Sequence, residues 1–225
     1  MMKIRNRIVS VLFIIGVILF IVVRFIIIPD NTRKQEEYNM AQSDAVTHDL
    51  DRILPYKSPY MGDASNIINL YNNLPLAVDR TFHLISDELT LEINYKDTML
   101  QAGEKSIENK KEKAGDINTK QDSKCQYEVY KDLIYNSTAA FALIDNLEKI
   151  NYNFSDTTYS VTRDRIESLF TTKLSDLLAD ENWKIQLQDR LKDLDFVKNS
   201  MEKVFEIHYQ EKSERKIVDL KLKNI

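Results

Sequence analysis

Residues 127–149, YEVYKDLIYNSTAAFALIDNLEK, carry the clearest helical pattern in the sequence. Their apolar side chains recur at spacings that place them along one broad face of a helix. That face comprises Val129, Leu133, Ala140, Phe141, Ile144 and Leu147. Because so wide an apolar face must be buried, the stretch predicts a helix over residues 127–149 that covers another layer of the fold.

Short runs of alternating apolar and polar residues lie on both sides of this helix. Alternation of period two is typical of half-buried strands, and a short turn between two such runs predicts an antiparallel hairpin. The predicted strand pairs are 82–84 with 89–95, 152–154 with 159–161, and 205–209 with 218–222. For the last pair, the alternative that residues 205–215 prolong the preceding helix stays open.

Further helices are predicted near residues 64–74 and 163–203, where apolar residues again recur at helical spacing. Gly and Pro number only four each, which favours long helices over folds built from many tight turns. The predicted fold class is α+β, with a small antiparallel sheet of two or three hairpins packed against several helices.

Residues 103–124 show no apolar period and contain six Lys and five acidic residues, so they predict a mobile, solvated insertion. The predicted organisation has four parts. They are a cytoplasmic stub and membrane anchor over 1–29, a juxtamembrane linker over 30–52, an α+β domain over 53–172 with the insertion, and a helical C-terminal extension over 173–225.

The amino-terminal stretch 8–28, IVSVLFIIGVILFIVVRFIII, has a single charged residue. At about 1.5 Å per helical residue it reaches roughly 30 Å, the thickness of a bilayer core, and Pro29 and Asp30 predict its end. The length of the apolar run and the lack of a small-residue cleavage site favour an uncleaved signal anchor over a signal peptide. The lipid bilayer is therefore the first predicted partner.

Basic residues set the predicted orientation of this span. Lys3, Arg5 and Arg7 precede it, and Arg24 lies where its side chain can reach the outer headgroups. By the positive-inside rule the amino terminus is cytoplasmic and the bulk of the chain is extracytoplasmic, although Arg33 and Lys34 flank the far side. The remainder after residue 29 carries a net charge of −8, which argues against a nucleic-acid partner.

An ordered series of segments resembles a known bacterial family of domains of unknown function, numbered 4825. The series comprises Tyr60–Ser65, Leu74-Pro75, Leu89–Tyr95, Ala140–Asn146, Ile150–Tyr152 and Tyr159–Arg163. The resemblance covers roughly residues 52–172 and implies a domain that follows a membrane segment. It supplies no catalytic residues.

Motifs that would indicate catalysis are missing from the sequence. The three His residues do not form a zinc-peptidase motif, and the single Cys has no clear His partner. There is also no phosphate-binding loop, dinucleotide turn or serine-hydrolase elbow. We therefore expect no catalytic, cofactor or metal site, and the sequence favours a non-catalytic protein.

The turn at Tyr60, Gly62, Asp63 and Ser65 is the candidate contact site for a ligand or partner. Amides at the start of the following helix could receive an anion, although capping of those amides by Asp63 itself is the favoured alternative. The predicted function is a binding, sensing or regulatory module with a protein or envelope partner. The alternatives are a carboxylate-based hydrolase or transferase acting on the envelope, and an assembly factor that docks through its C-terminal helices.

Overall fold

The structure, a computed structural model, describes residues 2–109 and 119–209 and confirms the α+β class. The helices are α1 (Met2–Val22), α2 (Ile28–Gln42), α3 (Ala64–Asn73), α4 (Met99–Asn109), α5 (Thr119–Leu143), α6 (Arg163–Glu167), α7 (Asp180–Trp183) and α8 (Leu194–Val204). The strands are β1 (Arg80–Ile85), β2 (Thr90–Tyr95), β3 (Lys149–Asn153), β4 (Thr157–Thr162) and β5 (Glu206–Tyr209). The chain divides into two compact units, Met1–Met40 and Ala41–Ile225.

The five strands form one sheet in the order β1-β2-β3-β4-β5. Both predicted central hairpins are confirmed, since β1 pairs with β2 and β3 with β4 in antiparallel fashion. The sheet is mixed rather than wholly antiparallel, because β2 and β3 are parallel. The chain passes through α4 and α5 between these two strands, and such a helical crossover returns the chain to the same end of the sheet.

Helix α5 lies against one face of the sheet and is buried almost completely along its second half. It begins at Thr119 and ends at Leu143, whereas the predicted helix covered 127–149. The carboxyl end is shorter than predicted because β3 begins at Lys149 and the intervening residues turn the chain into the sheet. The hydroxyls of Ser137 and Tyr152 meet at 3.0 Å, where the helix contacts β3.

The predicted loop over 103–124 is helical wherever it is described. Helix α4 extends to Asn109 and α5 starts at Thr119, while residues 110–118 lie outside the described part of the chain. The two helices pack against each other, and Gly103 lies where they approach most closely. A Cβ on Gly103 would be 2.7 Å from the Cys125 carbonyl oxygen, so α4 and α5 are in close contact at this position. The many charged residues of this stretch gave no indication of that contact.

We expect Gly103→Ala to lower the free energy of unfolding by about 1–3 kcal/mol, because the added methyl group forces α4 away from the α5 backbone. The matched control is Gly62→Ala, where a Cβ meets nothing within 4 Å. Urea unfolding of both variants checks this expectation. Equal stability of the two variants would contradict the close packing of α4 on α5.

The predicted helix over 163–203 is interrupted several times. Trp183, Leu187 and Leu191 are buried as their spacing predicts, whereas Leu194 is exposed. The difference arises because Asp193 ends the preceding turn and caps α8, its carboxylate accepting from the Asp195 amide at 2.9 Å. Of the predicted terminal hairpin, β5 is present and pairs with β4, while residues 218–222 lie outside the described residues.

The first unit is helical from Met2 onward, and Pro29 does not end the helix as predicted. A π-helical turn at Val23–Ile27 precedes the proline, with the Ile28 amide donating to the Val23 carbonyl. This wider turn relieves the contact that a proline ring makes with the carbonyl four residues earlier. Helix α2 therefore continues to Gln42.

Part of the predicted linker over 30–52 belongs to the second unit, which begins at Ala41. The side chains of Ala45, His48 and Leu50 are buried there. The amide group of Gln188 donates to the His48 carbonyl at 2.7 Å, which joins this segment to the C-terminal helices. Residues 41–52 are thus an integral part of the folded unit.

Candidate functional site

The predicted contact turn at Tyr60–Ser65 is held by the end of α5. The backbone amide of Met61 donates to the Asn146 side-chain carbonyl at 2.7 Å, and the Met61 side chain is buried. Ser58 pairs with the same region through hydrogen bonds to the backbone of Leu143 and Asp145. The turn is therefore rigid, with Tyr60 projecting from it at 69 % exposure.

Asp63 occupies the amino-terminal cap of α3, which was the favoured alternative for this turn. Its carboxylate accepts from the Asn66 amide at 3.0 Å, so the negative charge already lies at the positive end of the helix. Gly62 and Ser65 are exposed beside it. A carboxylate in this position disfavours an external anion, and the exposed Tyr60 side chain lies nearby in the same turn.

We expect Asn146→Ala to lower the free energy of unfolding by about 1–2 kcal/mol, because the Met61 amide loses its acceptor in a largely buried position. Asn72→Ala is the control, since Asn72 is exposed on α3. That variant should change the free energy by less than about 0.5 kcal/mol. Thermal melting of the two variants measures the difference, and indistinguishable curves would argue against the Asn146 contact.

Arg163, part of the family-like series, closes the carboxyl end of α5. Its guanidinium donates to the carbonyl oxygens of Phe141, Ile144 and Leu147 at 2.6–2.9 Å. The Ile144 carbonyl also accepts from the Leu147 amide, and the guanidinium supplies further charged donors to the carbonyls at this buried helix end. Arg163 is thus committed to holding α5 against the start of α6, and this role was not foreseen from the sequence.

Arg80 performs a similar task for α3. Its guanidinium donates to the carbonyl oxygens of Tyr71 and Leu76, and it lies over the ring of Phe82. Leu76 adopts a positive φ of 59° in the turn that these bonds stabilise. The two half-buried arginines next to the sheet therefore serve as helix caps.

A directional hydrogen-bond chain runs through the core at His48. The Nε2 of His48 lies 2.6 Å from the Asn73 carbonyl, which can only accept, so Nε2 carries the proton. Nδ1 then accepts from the Tyr135 hydroxyl at 2.8 Å, and Trp183 Nε1 donates to that hydroxyl oxygen. Burial disfavours the charged imidazole and lowers the pKa of His48 to about 4.

The second polar cluster of the core is built from tyrosines. The hydroxyl of Tyr152 contacts both Ser137 and Tyr71, and burial raises the pKa of Tyr152 to about 12. Tyr71 and Tyr95 are also fully enclosed, and burial raises the pKa of each. These phenols stay protonated near neutral pH, and the hydroxyls of Tyr71 and Tyr152 hydrogen-bond within the core.

A groove of about 480 Å³ lies between α5, α8 and β5. Its walls are mainly aromatic and aliphatic, and they include Tyr127, Tyr130, Leu194, Val197, Met201 and Ile207. Docking through the C-terminal helices stays a prediction, and most apolar side chains between Trp183 and Val204 are buried. Exposed Ile185 lies apart from the groove lining.

The face of the sheet opposite α5 is polar across all five strands. Two rows of its side chains, which we call the polar face, are Thr81, Asn94, Asn153, Thr158 and His208 in the first, and His83, Glu92, Asn151, Ser160 and Glu206 in the second. A third row beside them holds Ile85, Thr90, Lys149 and Thr162. Sequence reasoning missed this surface. The signal was present as polar residues at alternate strand positions, but only the strand order shows that they form continuous rows.

Short side chains on the polar face bond to one another. Asn153 donates to the Asn94 side-chain oxygen at 2.9 Å and accepts from the Thr158 hydroxyl at 3.1 Å. In the second row, the Ser160 hydroxyl donates to Asn151 at 2.8 Å. These bonds orient the amides and leave the side-chain nitrogens of Asn94 and Asn151 without a partner among the described residues.

Metal-binding groups do not converge in the described residues: 2–109 and 119–209 contain no cluster of three or more His, Cys, Asp or Glu placed to hold an ion.

Of the predicted anchor residues, Lys3, Arg5 and Arg7 lie on α1, and Arg24 lies exposed in the π-helical turn. The helical run Leu12–Gln42 is long and apolar enough to cross a membrane.

Fold and site together define a small α+β unit that follows an apolar helix of membrane-spanning length. Residues 53–164, about half of the chain, match the family described as "Domain of unknown function (DUF4825)", which confirms the resemblance seen in the sequence. The match lies within the range of the sequence resemblance and includes the contact turn, the β1–β4 part of the sheet and Arg163. No curated protein and no solved structure matches the chain.

Proposed function

We propose that the chain is a single-pass membrane protein whose folded unit acts on the extracytoplasmic side as a binding or regulatory module. The observation that carries the proposal is the N-terminal helix. Its most apolar window has a mean hydropathy of 3.0 and is 0 % buried, so side chains such as Phe13 and Phe20 have no protein core to cover them. A bilayer would cover these side chains.

The orientation is supported by three basic residues, Lys3, Arg5 and Arg7, before the span. Arg33 and Lys34 follow it, so the bias toward a cytoplasmic amino terminus is three to two. Arg24 lies at the opposite end of the apolar stretch from the amino terminus, where its long side chain can reach the outer headgroups. The uncleaved span would then keep the folded unit tethered.

Binding is favoured over catalysis by the roles of the buried polar groups. Arg80 and Arg163 cap helices, His48 donates to a backbone carbonyl, and Asn146 holds the contact turn. Each of these groups is committed to the fold. The surfaces that remain for function are the rigid turn at Tyr60, the groove beside α8, and the polar face.

Reporter fusions after Ile225 test the proposed topology. We expect an exported phosphatase to be active in this position and a reporter that matures only in the cytoplasm to be silent. Changing Lys3, Arg5 and Arg7 to Glu should reduce the phosphatase signal, because it removes the positive bias before the span. Activity of the cytoplasmic reporter alone would overturn the proposal.

A further inference from the structure

The composition of the polar face is unusual for the solvent side of a sheet. Asn is depleted in β-strands, where β-branched and aromatic residues fit the pleated backbone better. Here Asn151 and Asn153 lie on the central strand β3, and Asn94 lies beside Asn153 on β2. Bonds between the strands use the side-chain oxygens of Asn94 and Asn151, and their remaining N–H groups point to a ligand.

Each carboxylate of the polar face has a partner. His83 lies 3.2 Å from the Glu92 carboxylate, and Glu206 pairs with Arg165 at 2.6 Å. The central amides and hydroxyls are neutral. Lys149 and Ile85 are the single cation and the single apolar residue of the adjoining row, so an anion would find no converging cations on the polar face and an apolar partner would find no apolar patch. The surface therefore complements an uncharged ligand rich in hydrogen-bonding groups.

Among the described residues, the hydrogen-bonding groups of the polar face that remain unused include the side-chain nitrogens of Asn94 and Asn151. The side-chain oxygens of Asn94 and Asn151 already accept bonds from Asn153 and Ser160, which fixes the orientation of both amides. Their nitrogens are left as donors. Fixed N–H donors beside hydroxyl groups match the carbonyl oxygen of an acetamido group and the hydroxyls of a sugar ring.

The polar face is also long enough for a chain-like ligand. Each row crosses five strands, and at about 4.8 Å between strands it extends for about 19 Å. Equivalent positions in the two rows are two residues apart along each strand, so the rows run parallel. This arrangement suits a linear polymer lying across the strands.

We propose that the polar face binds an uncharged N-acetylated glycan strand, held by the side-chain nitrogens of Asn94 and Asn151. The proposal deepens the proposed function and rests on it, because a glycan strand is met outside the cytoplasm. A tethered unit that lays its sheet on such a strand would connect the membrane to the surrounding glycan.

Calorimetry on the full chain in a phosphocholine detergent tests the proposal without a competing sugar headgroup. The probe is the β-1,4-linked tetramer of N-acetylglucosamine, and the comparison ligand is the glucose tetramer with the same linkage. We expect saturable binding of the first and much weaker binding of the second, because glucose lacks the acetamido carbonyl.

The decisive variant is Asn94→Asp with Asn151→Asp, which keeps an acceptor oxygen at each position, replaces the N–H donors by a second oxygen and adds two negative charges. It should weaken binding of the N-acetylglucosamine tetramer by about tenfold or more. Asn72→Asp on α3 is the matched control and should bind as the wild type does. If the double variant does not fold, Asn94→Ala alone should still weaken binding by at least about threefold.

Three results would overturn the glycan proposal: no binding by the wild type, equal binding of the two tetramers, or unchanged binding by the folded variants. Each of these is distinguishable from failure of the proposed function. The calorimetry uses purified protein and is independent of membrane orientation, whereas the reporter fusions measure orientation and are independent of the polar face.

Discussion

Replacing Arg163 by Met should lower the free energy of unfolding by about 3–5 kcal/mol. The guanidinium donates to three carbonyl oxygens in the last turn of α5 and the loop that follows, at residues whose side chains are almost fully buried. Met fills much of the same volume but cannot donate. The three carbonyls would then lose their charged partner in a place that water reaches poorly.

Two further variants make the test of Arg163 specific. Arg163→Lys keeps the charge but lacks the planar set of donors. Its free energy of unfolding should therefore lie between those of the wild type and Arg163→Met. Arg165→Met removes a neighbouring arginine that is 43 % exposed and pairs only at the surface, so it should cost less than about 1 kcal/mol. Urea unfolding followed by circular dichroism measures all three. An equal decrease in the free energy of unfolding for Arg163→Met and Arg165→Met would contradict the capping role of Arg163.

Acidification should destabilise the folded unit through His48. The folded pKa of about 4 lies below the ordinary value of 6.5, so the unfolded chain takes up the proton first. The contribution of His48 to the free energy of unfolding has its full value above pH 6.5. It decreases as the pH drops from 6.5 and stops decreasing below about pH 4. The loss between pH 7 and pH 4 is about 3 kcal/mol.

His48→Gln isolates this contribution, because other groups near His48, such as Asp49, also titrate in acid. Gln cannot take up a proton, so the variant should be less sensitive to pH between 6.5 and 4, whatever its stability at neutral pH. Urea unfolding at successive pH values gives the difference between the two proteins. Parallel pH profiles for wild type and variant would show that His48 is not buried in the neutral form.

The strands were predictable from the sequence because one face of the sheet is buried and the other is not. Alternation at Leu91–Tyr95 and Ile150–Phe154 follows directly from that contrast, and short turns identified the hairpin partners. The parallel pairing of β2 with β3 was not predictable in the same way. Alternation marks a strand but carries no information about which strand lies beside it after a long crossover.

The helical parts show where local patterns fail. Charged residues made 103–124 resemble a solvated loop, yet Gly103 allows α4 to pack on α5. Pro29 predicted a helix end, but the π-helical turn before it lets the helix continue. Of the site, the capping role of Asp63 was foreseen because it is local, whereas Asn146 and Arg163 act across distant segments that only the fold brings together.

We propose that the N-terminal helix holds the folded unit outside the cytoplasm, where the turn at Tyr60 and the polar face would meet a partner. The most direct measurement is the labelling of Asp87→Cys by a membrane-impermeant maleimide. Asp87 is exposed in the β1–β2 turn, and Cys125→Ser removes the native, buried thiol. Lys3→Cys in the same background is the cytoplasmic control. We predict that intact cells label Asp87→Cys as fully as lysed cells do, while Lys3→Cys reacts only after lysis. Labelling of Asp87→Cys only after lysis would contradict the account.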